Sequence, residues 1–208
     1  MHSRIFGRRG VVAVSLLLAV GLTGCADDEV SSDEQARRAY LGLNDSIGKA
    51  LQLGFAGFNA ATSANIPAQS TAGTAAGTLT VTGQVDQGSS ANKGMRLRVG
   101  MVGYSDGEVA VGDDEDPVNI TYQTATDTTA QPELTLQLRD IPTGTFTGSL
   151  VGTFSMTGDL TGDVQLNLSM SGDIEDDGTG KVRRVAGSTT VTGTATSGDG
   201  DFQVNVTR

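Results

Sequence analysis

The chain has one histidine, one cysteine and no tryptophan among 208 residues. His2 and Cys25 both fall within the first 25 residues, so residues 26–208 hold neither imidazole nor thiol. That stretch cannot assemble Ser-His-Asp or Cys-His catalysis, His- or Cys-ligated zinc, haem held by the usual ligands, or a disulfide. Paired-carboxylate chemistry stays open, because 24 acidic side chains are present. Glycosidases of that kind usually hold sugars on aromatic platforms, and here the tyrosines are Tyr40, Tyr104 and Tyr122 alone. No P-loop, no dinucleotide-type glycine motif ahead of a helix and no nucleophile elbow occurs. The expectation is a protein that is not an enzyme and carries no cofactor.

Basic residues are also few, 14 against 24 acidic ones, for a formal net charge of −10. Residues 1–24 contain Arg4, Arg8 and Arg9 and no acid, so the remainder carries 11 basic against 24 acidic side chains, a formal −13. Such a surface repels the nucleic-acid backbone, whose binding depends on Lys and Arg neutralising phosphates. It is not drawn to anionic lipid either. Nucleic acid is therefore excluded as a partner.

What is present begins at the N-terminus. A basic, acid-free segment, "MHSRIFGRRG", precedes the apolar run "VVAVSLLLAVGL". At about twelve residues the run is short of the roughly 20 that span a bilayer, and it fits a secretory signal. Leu22-Thr23-Gly24-Cys25 then follows. This segment resembles the lipobox signal of bacterial lipoproteins: Leu at −3, a small residue at −1 and Cys at +1. The resemblance covers residues 1–25. It implies removal of residues 1–24, lipid on the Cys25 thiol, and an envelope location anchored through that lipid. Ala26, rather than aspartate, after the cysteine leans toward the outer membrane in a cell with two membranes.

After an acidic tether at residues 25–30, Ser31-Ser32-Asp33-Glu34 predicts a helix start, with Ser31 and Glu34 as a capping box. The stripe Ala36, Tyr40, Leu43, Ile47, Ala50, Gly54 and Phe58, with Leu51 beside it, predicts one amphipathic helix over residues 31–60. Gly54 on that stripe predicts close approach of another backbone. Residues 61–77 are small, polar and aperiodic, and predict a flexible linker. From residue 78 to 208 the pattern alternates with period two. Leu79/Val81/Val85, Met95 to Met101, Val118/Ile120/Tyr122, Leu134/Leu136/Leu138, Phe146/Leu150/Phe154, Val164 to Met170, Val185/Thr189/Val191 and Phe202/Val204/Val206 give about eight strands. Recurrent Thr-Gly pairs inside them suit a strongly curved sheet. The fold class expected is α+β, mostly β: the helix packed on a curved antiparallel meander or small barrel.

Three features invite a site. Acidic turns hold the calcium-type candidates Asp113, Asp114 and Asp116 in one loop and Asp176 and Asp177 in another, but neither has the spacing of a calcium-binding helix–loop–helix. They read first as hydrated turns. Arg96 and Arg98, with Lys93, form a basic patch; its two arginines could receive an anionic ligand but are expected to pair with acids on neighbouring strands. A hydrophobic ligand could lie where the sheet curves incompletely around the helix. Two roles follow: an envelope structural or interaction module with a protein partner, or a binder of lipid or another hydrophobic small molecule.

Overall fold

The computed structural model describes residues 29–179 and 181–208; Cys25, the signal and most of the tether lie outside them. Two helical segments lead, α1 (Asp33–Leu41) and α2 (Asn44–Ala60). Eleven strands follow: β1 (Asn65–Ala72), β2 (Ala76–Val85), β3 (Lys93–Ser105), β4 (Glu108–Val109), β5 (Val118–Gln123), β6 (Glu133–Arg139), β7 (Gly144–Gly158), β8 (Gly162–Asp176), β9 (Val182–Arg184), β10 (Thr190–Ser197) and β11 (Gly200–Thr207). Among the described residues no helix is long and apolar enough to cross a membrane.

The helix starts one residue later than predicted. Ser32 is the N-cap and accepts from the Gln35 amide at 3.2 Å, while Gln35 Oε1 reaches back to the Ser31 amide at 2.8 Å. Glu34 instead pairs with Arg37. The predicted single helix is bent at Gly42-Leu43. There the Leu43 amide turns to Tyr40 O, three residues back, and the Ser46 amide to Leu43 O. This tightening deprives the Ala39 carbonyl of its usual partner. The buried Tyr122 hydroxyl replaces it, donating to Ala39 O at 2.8 Å. The bend keeps both halves on the sheet. The predicted stripe is buried from Ala36 through Gly54, but what approaches Gly54 is side chain rather than the expected backbone: a Cβ there would sit 2.9 Å from Met95 Sδ and 3.3 Å from Leu97 Cδ1.

The main path of the sheet runs β1-β2-β3-β5-β7-β8-β10-β11, with every pairing antiparallel. β5 and β6 share one place, end to end between β3 and β7. Thr124 and Pro132 continue the ladder between them, through Thr124 N to Met101 O and Val99 N to Pro132 O. The count of about eight is thus corrected to eleven. β4 and β9, of two and three residues, are too short to show a period. β1 falls in the segment expected to be a linker. Its residues, NIPAQSTA, alternate weakly because an edge strand buries little besides Ile66, and Pro67 suits an edge that donates no amide. The strand expected across Val185, Thr189 and Val191 begins instead at Thr190, since residues 185–188 turn between β9 and β10.

The edges β1 and β11 are not paired with each other, so the sheet is open. The bent helix fills the gap: α1 packs on β11 and α2 on β1 and β2. Asp33 Oδ1 caps the free β11 edge by accepting from the Gln203 amide at 2.7 Å. Inward residues join across the strands in rows such as Gly83–Leu97–Leu134–Leu150–Leu168–Gly193–Val204. Gly83 and Gly193 adopt φ of 123° and 148°, where any Cβ would strike a carbonyl of the adjoining strand. They let the flanks of the sheet coil over the helix. The outward rows are polar, as in Thr135–Ser149–Ser169–Thr192–Asn205. The chain enters this body beside the β7–β8 and β10–β11 turns: Glu29 lies against Gly162 and Gly198, and Ser197 Oγ donates to Val30 O.

Candidate functional site

The acidic loops are kept apart and put to local use. Residues 112–117 dock on α1, with Glu115 paired to Arg37 and Pro117 O accepting from Arg38. In the other loop Asp177 Oδ1 accepts from the Thr179 hydroxyl, the Thr179 amide and the Lys181 amide, bonds that hold its carboxyl below the usual range. Asp176 Oδ1 accepts from the Gly178 amide. Among the described residues no three of His, Cys, Asp and Glu are placed to share an ion. The basic patch is divided. Arg96 pairs with Asp86 at 3.4 Å and Arg98 with Glu133 at 2.9 Å on the outer face. Lys93 shares the parity of Met95 and Leu97, so it points inward: it is 7% exposed, donates to Gly88 O, and its ammonium lies 4.3 Å from the centre of the Phe58 ring.

Two hollows lie on the outer flank of α2. Asp45, Gly48, Lys49, Gln52, Ala56 and Asn59 form a stripe opposite Ile47, Ala50, Leu51 and Gly54, by helical spacing. Facing it is the segment of β9 and its flanks, residues 181–187. At the N-terminal half of α2 they border an open hollow of about 700 Å³, lined by Asn44, Lys49, Arg183, Arg184 and Arg208 among others. At the C-terminal half a cleft of about 510 Å³ is lined by Leu53, Phe55, Ala56 and Phe58 against Ile141, Pro142 and Val182, with Gln52, Asn59 and Lys181 at its rim. Gln52 lines both, so the two hollows adjoin along one groove-like flank of α2. At about 1.5 Å per residue, Asn44 to Asn59 spans roughly 22 Å.

The two halves differ in chemistry. Leu53, Phe55, Phe58 and Ile141 are only partly buried, and the cleft they form is walled by carbon. In the other half Arg184 reaches from β9 across Gly48 to α2. Its guanidinium donates to Asn44 O at 2.7 Å and Asn44 Oδ1 at 3.1 Å. A Cβ on Gly48 would sit 3.7 Å from that guanidinium, an ordinary van der Waals contact, so the side chain lies directly over this turn of α2. Arg184 has no carboxylate partner among the described residues, and neither does Arg208, which donates to the carbonyls of Ala110 and Val111. Burial pushes the nearby Tyr40 hydroxyl up, against the opposing pull of Arg184.

Lys49 is fixed by Asp106, whose side chain is 4% exposed. The carboxylate accepts from Lys49 Nζ at 2.5 Å, Tyr104 Oη at 2.6 Å, and the Thr74 amide and hydroxyl, each at 2.9 Å. Burial would raise Asp106, but these bonds outweigh it and hold the carboxyl below its usual range. Burial and the Asp106 bond push Tyr104 up. The network ties α2 to the β1–β2 and β3–β4 turns and leaves Lys49 little freedom to act chemically.

Sequence reasoning missed this groove. The available signal was the apolar excess of "LQLGFAGF", where Leu53, Phe55 and Ala56 add to a stripe already complete. No protein-family model, curated protein or solved structure matches the chain.

Proposed function

We propose that this is a non-enzymatic bacterial lipoprotein, anchored in the cell envelope through lipid on Cys25, that binds a hydrophobic small molecule beside α2. The anchor rests on the signal-like segment ending in Leu22-Thr23-Gly24-Cys25. The absence of histidine and cysteine from residues 26–208 supports the non-enzymatic reading. Of the two roles open to such a module, the cleft favours ligand binding over protein interaction. Its volume of about 510 Å³ falls in the range of roughly 300–1,000 Å³ typical of small-molecule sites. An interaction module would instead present a contiguous apolar patch. The outer sheet face is polar, and the exposed large apolar side chains among the described residues are Val102 and Val151, on non-adjacent strands.

Two measurements test this. Cys25→Ser releases the protein from membranes or blocks its processing; a variant still membrane-bound and cleaved at the same place refutes the anchor. Native mass spectrometry of residues 26–208, purified from the host, should show a bound small molecule that is lost in Ala56→Phe. An adduct unchanged by that substitution would place the ligand elsewhere.

A further inference from the structure

The groove is carbon-walled at one end and cationic at the other, in a chain whose overall charge is strongly negative. We infer that its ligand is a single-chain amphiphile with an anionic head, the alkyl chain lying in the Leu53–Phe55–Ile141 cleft and the head on Arg184. This rests on the hydrophobic-ligand reading above and adds to it a class of ligand and an orientation.

Three observations carry it. The halves adjoin, since Gln52 lines both and the same flank of α2 borders both. The apolar half is a slot between a helix and a strand segment, a shape for a chain. The cationic half has charge to spare where the chain's head would emerge. Lys49 and Arg183 are neutralised by Asp106 and Glu175, but the partners of Arg184, the oxygens of Asn44 and the nearby Tyr40 hydroxyl, are neutral. The two bonds to Asn44 use two of its five N–H donors and fix the plane of the guanidinium. A carboxylate or phosphate monoester arriving there gains a charge-assisted hydrogen bond to a preorganised donor. Asp45, also on the rim, disfavours a head of higher negative charge placed toward the start of α2.

The probe is cis-parinaric acid, whose fluorescence rises on leaving water, with the chain lacking residues 1–25. Among the described residues every core member lies at Val30 or beyond, so that form contains all of the described helices and strands. Competitors are palmitate, hexadecanol and inorganic phosphate. Palmitate should displace the probe at least about tenfold more strongly than hexadecanol, a difference set by one charge-assisted contact, and phosphate should not displace it. Arg184→Gln should weaken palmitate by about tenfold and leave hexadecanol unchanged. Ala56→Phe, at an exposed position of the cleft, should abolish binding of both without touching the core. Equal competition by palmitate and hexadecanol, insensitive to Arg184→Gln, overturns the anionic head while the hydrophobic-ligand reading stands. No fluorescence rise, or a rise indifferent to Ala56→Phe, overturns both.

Discussion

Replacing Asp106 by alanine tests whether the helix is locked to the sheet by a buried charge. The carboxylate accepts four hydrogen bonds from Lys49, Tyr104 and Thr74 and is almost inaccessible. Removing one member of a buried ion pair costs about 3–5 kcal/mol, because the other charge is left uncompensated. Lys49 is 26% exposed, so water recovers part of that, and Asp106→Ala should cost about 2–3 kcal/mol at pH 7. Asp106→Asn keeps an acceptor for Tyr104 and should cost about 1–2 kcal/mol. The effect depends on pH with a definite sign. The folded-state carboxyl titrates below its unfolded value, so its contribution is full above the unfolded pKa of about 3.9 and is lost as pH falls through the folded one. Urea unfolding at a series of pH values reads this directly. The gap between wild type and Asp106→Ala should be constant above about pH 5 and shrink as the pH falls below the unfolded carboxyl's range. A gap below about 0.5 kcal/mol at pH 7, or one that does not change on acidification, refutes the reasoning.

Ile47 is 2% exposed on the inner face of α2, and Ile47→Ala should cost about 2–4 kcal/mol by denaturant unfolding; a loss that varies with protein concentration would mean the face pairs between chains. Gly42 and Tyr122 should be coupled. A Cβ at Gly42 would collide with the Tyr122 hydroxyl, so Gly42→Ala alone should destabilise, whereas in a Tyr122→Phe background the same change should recover up to about 1 kcal/mol of helix propensity. Additive effects of the two substitutions would refute that contact.

How far the chain could be read beforehand depended on how long each pattern persisted. β7 and β8 run for 15 residues each and show themselves through Phe146, Leu150 and Phe154 and through Val164 to Met170. The helical stripe was legible for the same reason, although its bend was not. The bend depends on the Tyr122 hydroxyl taking over the Ala39 carbonyl, 83 positions away, and no local pattern encodes that. β1 escaped because an edge strand carrying Pro67 buries too little to alternate. Lys93 escaped because a lysine counted as charge is, in its place, a stem and a cation over Phe58. The groove was least legible of all. Its walls come from α2, the β6–β7 turn and β9, and only folding sets Leu53 against Ile141 and Arg184 over Gly48.

The entry of the chain beside the β7–β8 turn fixes a polarity for the whole molecule. β7 rises from Gly144, next to the Ile141-Pro142 wall of the cleft, and ends at Gly158, next to the point of entry. At about 3.3 Å per residue that is roughly 45–50 Å of strand. On the proposed anchorage, the opening of the groove is therefore carried at the far pole from the bilayer. Cargo would be exchanged with whatever stands across the aqueous gap, and the lipid on which the protein is moored would be the least accessible donor.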